Sequence, residues 1–316
     1  MSAGSGGAST GPDNKVFKRS GLMKRCLVTG ATGLIGRHVV RLLGDNWDRY
    51  ALIRKRRAKG LGSIHYIGRD LARDWNLVGL PKRVDAVIHL AQSEYFREFP
   101  VNAEPMFRVN TASTLRLLEY ARKAGATSFV FASSGGIYGH GDEEFRENGP
   151  ILLSEAIGFY LSTKVCSEIL TESYTAYMNV IILRFFFVYG PGQRATMLIP
   201  RLVRAVREKQ PIILHGKDGL KLNPTYVTDA ASAVCSSLEL TGNHTINIGG
   251  PEVLSLRQIA LHVGNVLKKD PVFKMNDHIP PQHLVGNIKR MTDLLGEPVV
   301  TFGEGIVRYI EGRDEE

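Results

Sequence analysis

The chain has 316 residues, 43% of them hydrophobic and 22% charged, with a formal net charge of +9. That is long enough for one large α/β unit or two modest domains around a substantial core, and the balance is ordinary for a soluble globular enzyme. No apolar run approaches the roughly 20 residues that span a bilayer, which excludes a membrane-spanning segment. Cys26, Cys166 and Cys235 are widely spaced in apolar segments, with neither zinc spacing nor a disulfide framework, so no metal and a reducing cytoplasm are expected. The positive excess is local, running from Lys15 to Arg25 and again from Arg54 to Lys59. Without a helix-turn-helix, zinc finger or aromatic-basic platform beside these clusters, the expected partner is a small anion rather than a nucleic acid.

In chain order, residues 1–22 read as a flexible tail, since Met1 to Pro12 are Ser/Gly/Ala/Thr-rich with no apolar h-region. Cys26-Leu27-Val28 reads as a short buried strand, and Leu34, Ile35, Val39, Val40, Leu42 and Leu43 recur at helical spacing. Between them lies Gly30-Ala31-Thr32-Gly33-Leu34-Ile35-Gly36. In that context Gly30 permits a tight turn, Gly33 lets backbone approach a pyrophosphate, and Gly36 allows close helix packing. The phosphates would sit at the helix N-terminus; an ordinary strand-to-helix turn is the plainer alternative. Tyr50–Ile53 is the second strand. A NAD site would carry an acidic residue near its end, but Arg54 and Lys55 stand there. A guanidinium can pair with a 2′-phosphate, so NADP is the expected cofactor and NAD the alternative; a solvated basic loop is the other reading.

Ile64–Ile67 follows as a third strand, with Asp70 and Leu71 placed to flank an adenine. Val84–Ala91 is a fourth, in which His89 reads as a packed strand-end histidine. Met106–Lys123 is an amphipathic helix ended by Gly125, and Ser128–Ala132 is a fifth strand running into Ser133-Ser134-Gly135-Gly136. Strands alternating with helices imply right-handed crossovers and an α/β, doubly wound parallel sheet of Rossmann type, with ligands beyond its carboxyl ends. In a helix expected over Ser154–Tyr177, Tyr160 and Lys164 share one face. A neighbouring ammonium would lower the phenol's pKa toward the working range, while Ser134 could hold a substrate oxygen. A surface helix is the bland reading of the pair.

The glycine turn, Ser133-Ser134 with Ile137-Tyr138-Gly139, and Tyr160-x-x-x-Lys164 together resemble the extended short-chain dehydrogenase/reductases, and within them the nucleotide-sugar epimerase/dehydratase branch. Leu183 to Gly192, Asn223 to Asp229, Ile246 to Gly250 and Leu294 to Ile306 continue the likeness. The resemblance implies catalysis by Ser134, Tyr160 and Lys164. The turn and the end of the second strand put Gly30, Thr32, Gly33, Leu34, Ile35, Gly36, Arg54 and Lys55 on the cofactor, and the resemblance adds Asp70, Leu71, Leu90, Ala91, Gln92, Asn110, Tyr160 and Lys164. A dinucleotide-binding domain over 23–187, completed by segments near 223–249, would precede a smaller α/β substrate lid over 188–316. Homodimerisation would run through the helices containing Met106–Lys123 and Ser154–Tyr177.

Three departures qualify the likeness. Phe187 and Leu222 stand where many family members place Asn and Arg on the sugar diphosphate, and Gly135-Gly136 replace the Asp-Glu pair of the 4,6-dehydratases. Phe187, Arg194, Met197 and Leu222 are therefore the expected substrate-side residues, with Arg194 the favoured diphosphate cation. The expected activity is 4-keto-reduction of a nucleotide-linked sugar. The alternatives are 4-epimerisation and, from another class, a non-catalytic NAD(P)-binding sensor or assembly subunit.

Overall fold

A computed structural model describes residues 23–54, 64–151 and 157–312. The expected tail over 1–22, Lys55 with the basic run through Lys59, and residues 154–156 at the start of the expected catalytic helix lie outside the described residues.

The N-terminal elements are β1 (Lys24–Thr29), α1 (Gly36–Leu42), β2 (Trp47–Ile53), β3 (Ile64–Gly68), β4 (Ala86–His89), α2 (Ala103–Phe107), α3 (Ser113–Lys123), β5 (Ser128–Ser134), α4 (Gly158–Glu172) and β6 (Asn179–Phe185). Next come β7 (Val188–Tyr189), α5 (Leu198–Arg207), β8 (Ile212–His215), β9 (Lys221–Leu222), β10 (Thr225–Tyr226), α6 (Val227–Ser236) and β11 (His244–Ile248). The chain closes with β12 (Leu254–Ser255), α7 (Leu256–Leu267), β13 (Phe273–Asn276), α8 (Lys289–Leu295) and α9 (Phe302–Glu311). Among the described residues the main sheet has seven strands in the order β11-β6-β5-β4-β1-β2-β3, all parallel. The order reverses between β1 and β4, where Thr29 pairs with His89. In an open parallel sheet that reversal opens the crevice in which ligands bind.

Alternation within each strand builds both layers. Val28, Ile88 and Val130 face a core shared with Val39, Ala231 and Val234, whereas Leu27, Val87 and Phe129 face Leu117, Leu118 and Ala121. Successive strand side chains point to opposite faces, so unbroken apolar runs are what a sheet covered on both sides requires. A third core, including Tyr189, Val203, Leu214, Leu222, Val263 and Ile306, lies among the elements after β6.

Two helices depart from their expected outlines. The Met106–Lys123 stretch is split by a π turn over Arg108–Ala112, and α4 stops at Glu172. Beyond it Tyr174 N–H donates to Thr171 O and Tyr177 N–H to Tyr174 O, so the chain tightens into three-residue turns. No helix among the described residues is long and apolar enough to cross a membrane.

Candidate active site

The glycine turn fills the end of β1 with backbone alone. At Gly30, φ is +68° and an added Cβ would lie 2.8 Å from Ala91 N and Leu90 C; one at Gly36 would lie 2.2 Å from Gly30 O. Only glycine fits either place, because a left-handed φ and a sub-van-der-Waals contact both penalise Cβ. At the start of α1, Ile35 occupies the N-cap position without a side-chain cap, and no acidic residue lies in the first turn. Arg37 N–H donates to Gly33 O and His38 N–H to Ile35 O, so the N–H groups that this helix start offers to an anion are those of Leu34, Ile35 and Gly36. This cradle fits the pyrophosphate of a dinucleotide, and Thr32, Gly33, Leu34 and Ile35 lie along it.

The loop after β4 is set against this turn by a buried web. Ala91 N–H donates to Thr29 Oγ1 at 3.2 Å, and Thr29 lies 2.7 Å from His89 Nδ1. His89 Nε2 lies 3.0 Å from Thr114 Oγ1, whose hydroxyl donates to Asn110 O. Thr114 is thereby left to accept, so His89 carries its proton on Nε2 and accepts from Thr29 at Nδ1. Burial, and then the Lys164 charge, push its pKa down to about 3. His89 is a neutral spacer between β1 and α3.

Asn110, expected on the cofactor, spends its side chain inside the protein. Its Oδ1 accepts from Ser93 N–H at 2.9 Å, and its Nδ2 donates to Thr163 Oγ1 at 2.9 Å. It thereby ties the Leu90–Ser93 loop to α4. Leu71 has its side chain buried in the core beneath β3, while Asp70 accepts from Ala72 N–H and pairs with Arg73. Arg54 is not the free guanidinium that the 2′-phosphate expectation needs, since it is ion-paired with Glu94 in the loop after β4.

Tyr160 and Lys164 rise from α4 toward the ends of β4 and β5. The Tyr160 hydroxyl donates to Gln92 Oε1 at 2.9 Å; Lys164 Nζ donates to Ala132 O at 2.7 Å and lies 6.0 Å from the Tyr160 ring centroid. The expected fall in the phenol's pKa is not what this arrangement produces. Burial pushes Tyr160 up and Lys164 down to about 8, partly countered for Lys164 by the Glu168 charge. Desolvation outweighs the ammonium's pull because Nζ turns to a carbonyl rather than to the phenol. Ser134 caps the 3₁₀ turn Gly135–Tyr138, its Oγ accepting from Gly136 N–H at 3.2 Å. An added Cβ at Gly136 would meet Leu161 Cδ2 at 3.1 Å and Ser134 Oγ at 3.3 Å, so α4 rests directly on the serine turn.

One turn beyond Lys164, Glu168 accepts from Arg184 Nε at 3.1 Å and Nη2 at 2.7 Å. Arg184 Nη1 donates to Tyr138 Oη at 2.6 Å, and that hydroxyl donates to Asn247 Oδ1. This buried pair is absent from the expectations above. Its signal was present in the chain, since an arginine inside the apolar run Val180–Phe187 requires a buried acceptor.

On the substrate side, Phe187 sits at φ 41°, a left-handed conformation that Asn tolerates and a bulky side chain rarely adopts. Arg194 donates to Glu94 O at 2.8 Å and reaches its Oε2 at 3.2 Å, and Met197 occupies the N-cap position of α5. Leu222 is fully buried between β12 and Leu284, which corrects its expected place: it is a core residue and lines no crevice. At Gly135 an added Cβ would lie 2.4 Å from Phe186 Cζ, so the Phe186 ring fills the space into which a side chain would project.

A glycine cradle at the switch point, facing a helix-borne tyrosine and lysine, defines an extended short-chain dehydrogenase/reductase. The chain belongs to the NAD dependent epimerase/dehydratase family, whose model matches residues 26–249. It is 29% identical to UDP-glucuronate 4-epimerase of Thermodesulfobacterium geofontis, over 73% of this chain and 73% of that protein. It is 28% identical to dTDP-4-dehydro-6-deoxyglucose reductase of Escherichia coli, over 72% and 74%. Among solved structures, MoeE5 in complex with UDP-glucose and NAD matches with a TM-score of 0.78 at 28% identity, covering 91% of this chain and 97% of that one.

Proposed function

We propose that the protein moves hydride reversibly at a secondary alcohol or ketone carbon of a nucleotide-linked sugar, using a nicotinamide dinucleotide, and that its net reaction is 4-epimerisation. The observation that carries the reading is that Ser134 ends β5 while Tyr160 bonds Gln92 in the loop after β4 and Lys164 bonds Ala132 in β5, so all three belong to the carboxyl ends of the strands beside the cradle. The bound nicotinamide supplies or accepts the hydride. The chain's own residues handle the proton. Tyr160, held protonated by burial, gives its proton to the substrate oxygen as hydride arrives and takes it back in the opposite direction. Ser134 donates to the same oxygen. Lys164, charged below about pH 8, supplies positive potential to a developing phenolate.

Epimerisation is favoured over reduction by the state of Arg54. Net reduction consumes its cofactor and draws on NADPH, whose 2′-phosphate needs the Arg54 guanidinium that Glu94 engages. Dehydration lacks support, because Phe186 fills the space beside Gly135. Arg194, expected on the diphosphate, is engaged by Glu94 as Arg54 is, and a homodimer through α2, α3 and α4 would cover the exposed Phe107, Leu115 and Ile169.

The test follows C4 inversion by NMR across a panel of UDP-, dTDP-, GDP- and CDP-sugars, with absorbance at 340 nm reporting cofactor consumption. Inversion without consumption supports epimerisation, and stoichiometric consumption replaces it with keto-reduction. Tyr160→Phe is expected to retain cofactor affinity and lose at least about 10²-fold in turnover. Near-normal turnover in that variant, or no binding of any of the four nucleoside diphosphates by calorimetry, refutes the assignment.

A further inference from the structure

The strands flanking β1 send their following loops over opposite sides of the glycine cradle. Arg54 follows β2, which pairs with β1 so that Leu52 faces Thr29; Glu94 follows β4, which pairs on the other side so that His89 faces Thr29. Their side chains meet as an ion pair across the end of β1. Arg194 comes from the turn after β7, donates to Glu94 O at 2.8 Å and contacts its Oε2 at 3.2 Å. The same turn is fastened by Arg97 Nη1 to Thr196 O at 3.0 Å and by Arg37 to Pro191 O. Glu94 is thus fixed at its backbone and its carboxylate, with about a third of its side chain exposed (32%).

We infer that Glu94 determines cofactor choice, supplying from the loop after β4 the carboxylate that the end of β2 lacks, and that the protein therefore prefers NAD over NADP. The chemistry is a matter of charge and partners. An adenosine ribose with free hydroxyls can donate to a carboxylate, whereas a 2′-phosphate brings up to two negative charges to the same place. To bind that phosphate Arg54 must release Glu94, and the freed carboxylate is then left beside a dianion. Arg194 holds the carboxylate in place, so it does not escape by swinging into solvent. The basic residue at the end of β2, which on its own signals NADP, is in effect neutralised by a residue that the strand order brings to it.

This inference rests on the dinucleotide reading of the cradle, and binding rather than turnover tests it. Dissociation constants for NADH and NADPH are measured by calorimetry on the full-length protein, on Glu94→Gln, on Arg54→Ala and on the double variant. Wild type is expected to bind NADH at least tenfold more tightly, about 1.4 kcal/mol. Glu94→Gln is expected to gain at least tenfold in NADPH affinity, and the double variant to lose that gain because it passes through Arg54. Circular dichroism confirms that each variant is folded. Tight NADH binding with a cofactor ratio unchanged in Glu94→Gln overturns the role of Glu94 and leaves the dinucleotide reading intact, as does a wild-type preference for NADPH. Failure of wild type to bind either nucleotide overturns both.

Discussion

Removing Glu168 tests how the helix that carries Tyr160 and Lys164 is anchored to the sheet. The two oxygens of Glu168 take separate guanidinium nitrogens of Arg184, and the side chains are only 3% and 5% exposed. Burial works against the charge on Arg184, but the hydrogen bonds and charge of Glu168 outweigh it and hold the guanidinium above its ordinary pKa. Glu168→Ala leaves that cation buried with only the Tyr138 hydroxyl and Glu147 O as acceptors. Breaking one side of a buried pair costs about 3–5 kcal/mol, a large part of the roughly 5–15 kcal/mol that holds a domain folded. At roughly 2 °C per kcal/mol for a chain of this size, Tm should fall by roughly 6–10 °C. The assay is thermal and urea unfolding monitored by circular dichroism, with the m-value checked for constancy. Replacing both partners, Glu168→Leu with Arg184→Met, should recover most of the loss, because no charge is then left unpaired. Glu119→Ala, which breaks an exposed pair with Arg122, should leave the midpoint nearly unchanged. A Glu168→Ala midpoint within about 1 kcal/mol of wild type would refute the reasoning.

Lys164 makes stability depend on pH with a defined sign. Its folded pKa is depressed from 10.5 to about 8, so between those values the unfolded chain binds more protons and stability rises with pH. Lys164→Met loses the hydrogen bond to Ala132 O, but its stability relative to wild type should be most favourable below pH 8 and should decline by about 3 kcal/mol toward pH 10.5; a flat difference from pH 7 to pH 10 in paired melts counts against a buried charge. Gly135→Ala should destabilise by about 1–3 kcal/mol, since the Phe186 ring lies between Gly135 and Gly286; Phe186→Leu should relieve most of this, and an unaffected urea midpoint in Gly135→Ala would show the contact to be soft. Leu222→Ala should cost about 2–5 kcal/mol because the side chain is fully buried; a small loss of stability with altered substrate affinity would return Leu222 to the crevice.

Local spacing determined a good deal of this protein. The apolar runs of β1 to β5, the glycines needed between β1 and α1, and the shared face of Tyr160 and Lys164 are properties of short stretches, and backbone geometry fixes what those stretches do. The same spacing passed over the π turn between α2 and α3 and overran α4, because a π turn over Arg108–Ala112 and the tight turns after Glu172 change the hydrogen bonding without a mark in the apolar pattern. Tertiary structure alone decided the partners. Glu94 lies 40 residues from Arg54 and 100 from Arg194, yet the order β2-β1-β4 and the turn after β7 bring all three together. Asn110 was turned inward by Ser93 and Thr163, Leu222 was buried by β12 and Leu284, and the proton on Tyr160 was retained by burial. Periodicity records which face of an element is covered, but charge state and hydrogen-bond satisfaction depend on what another element brings to that face, and strand order decides which element arrives.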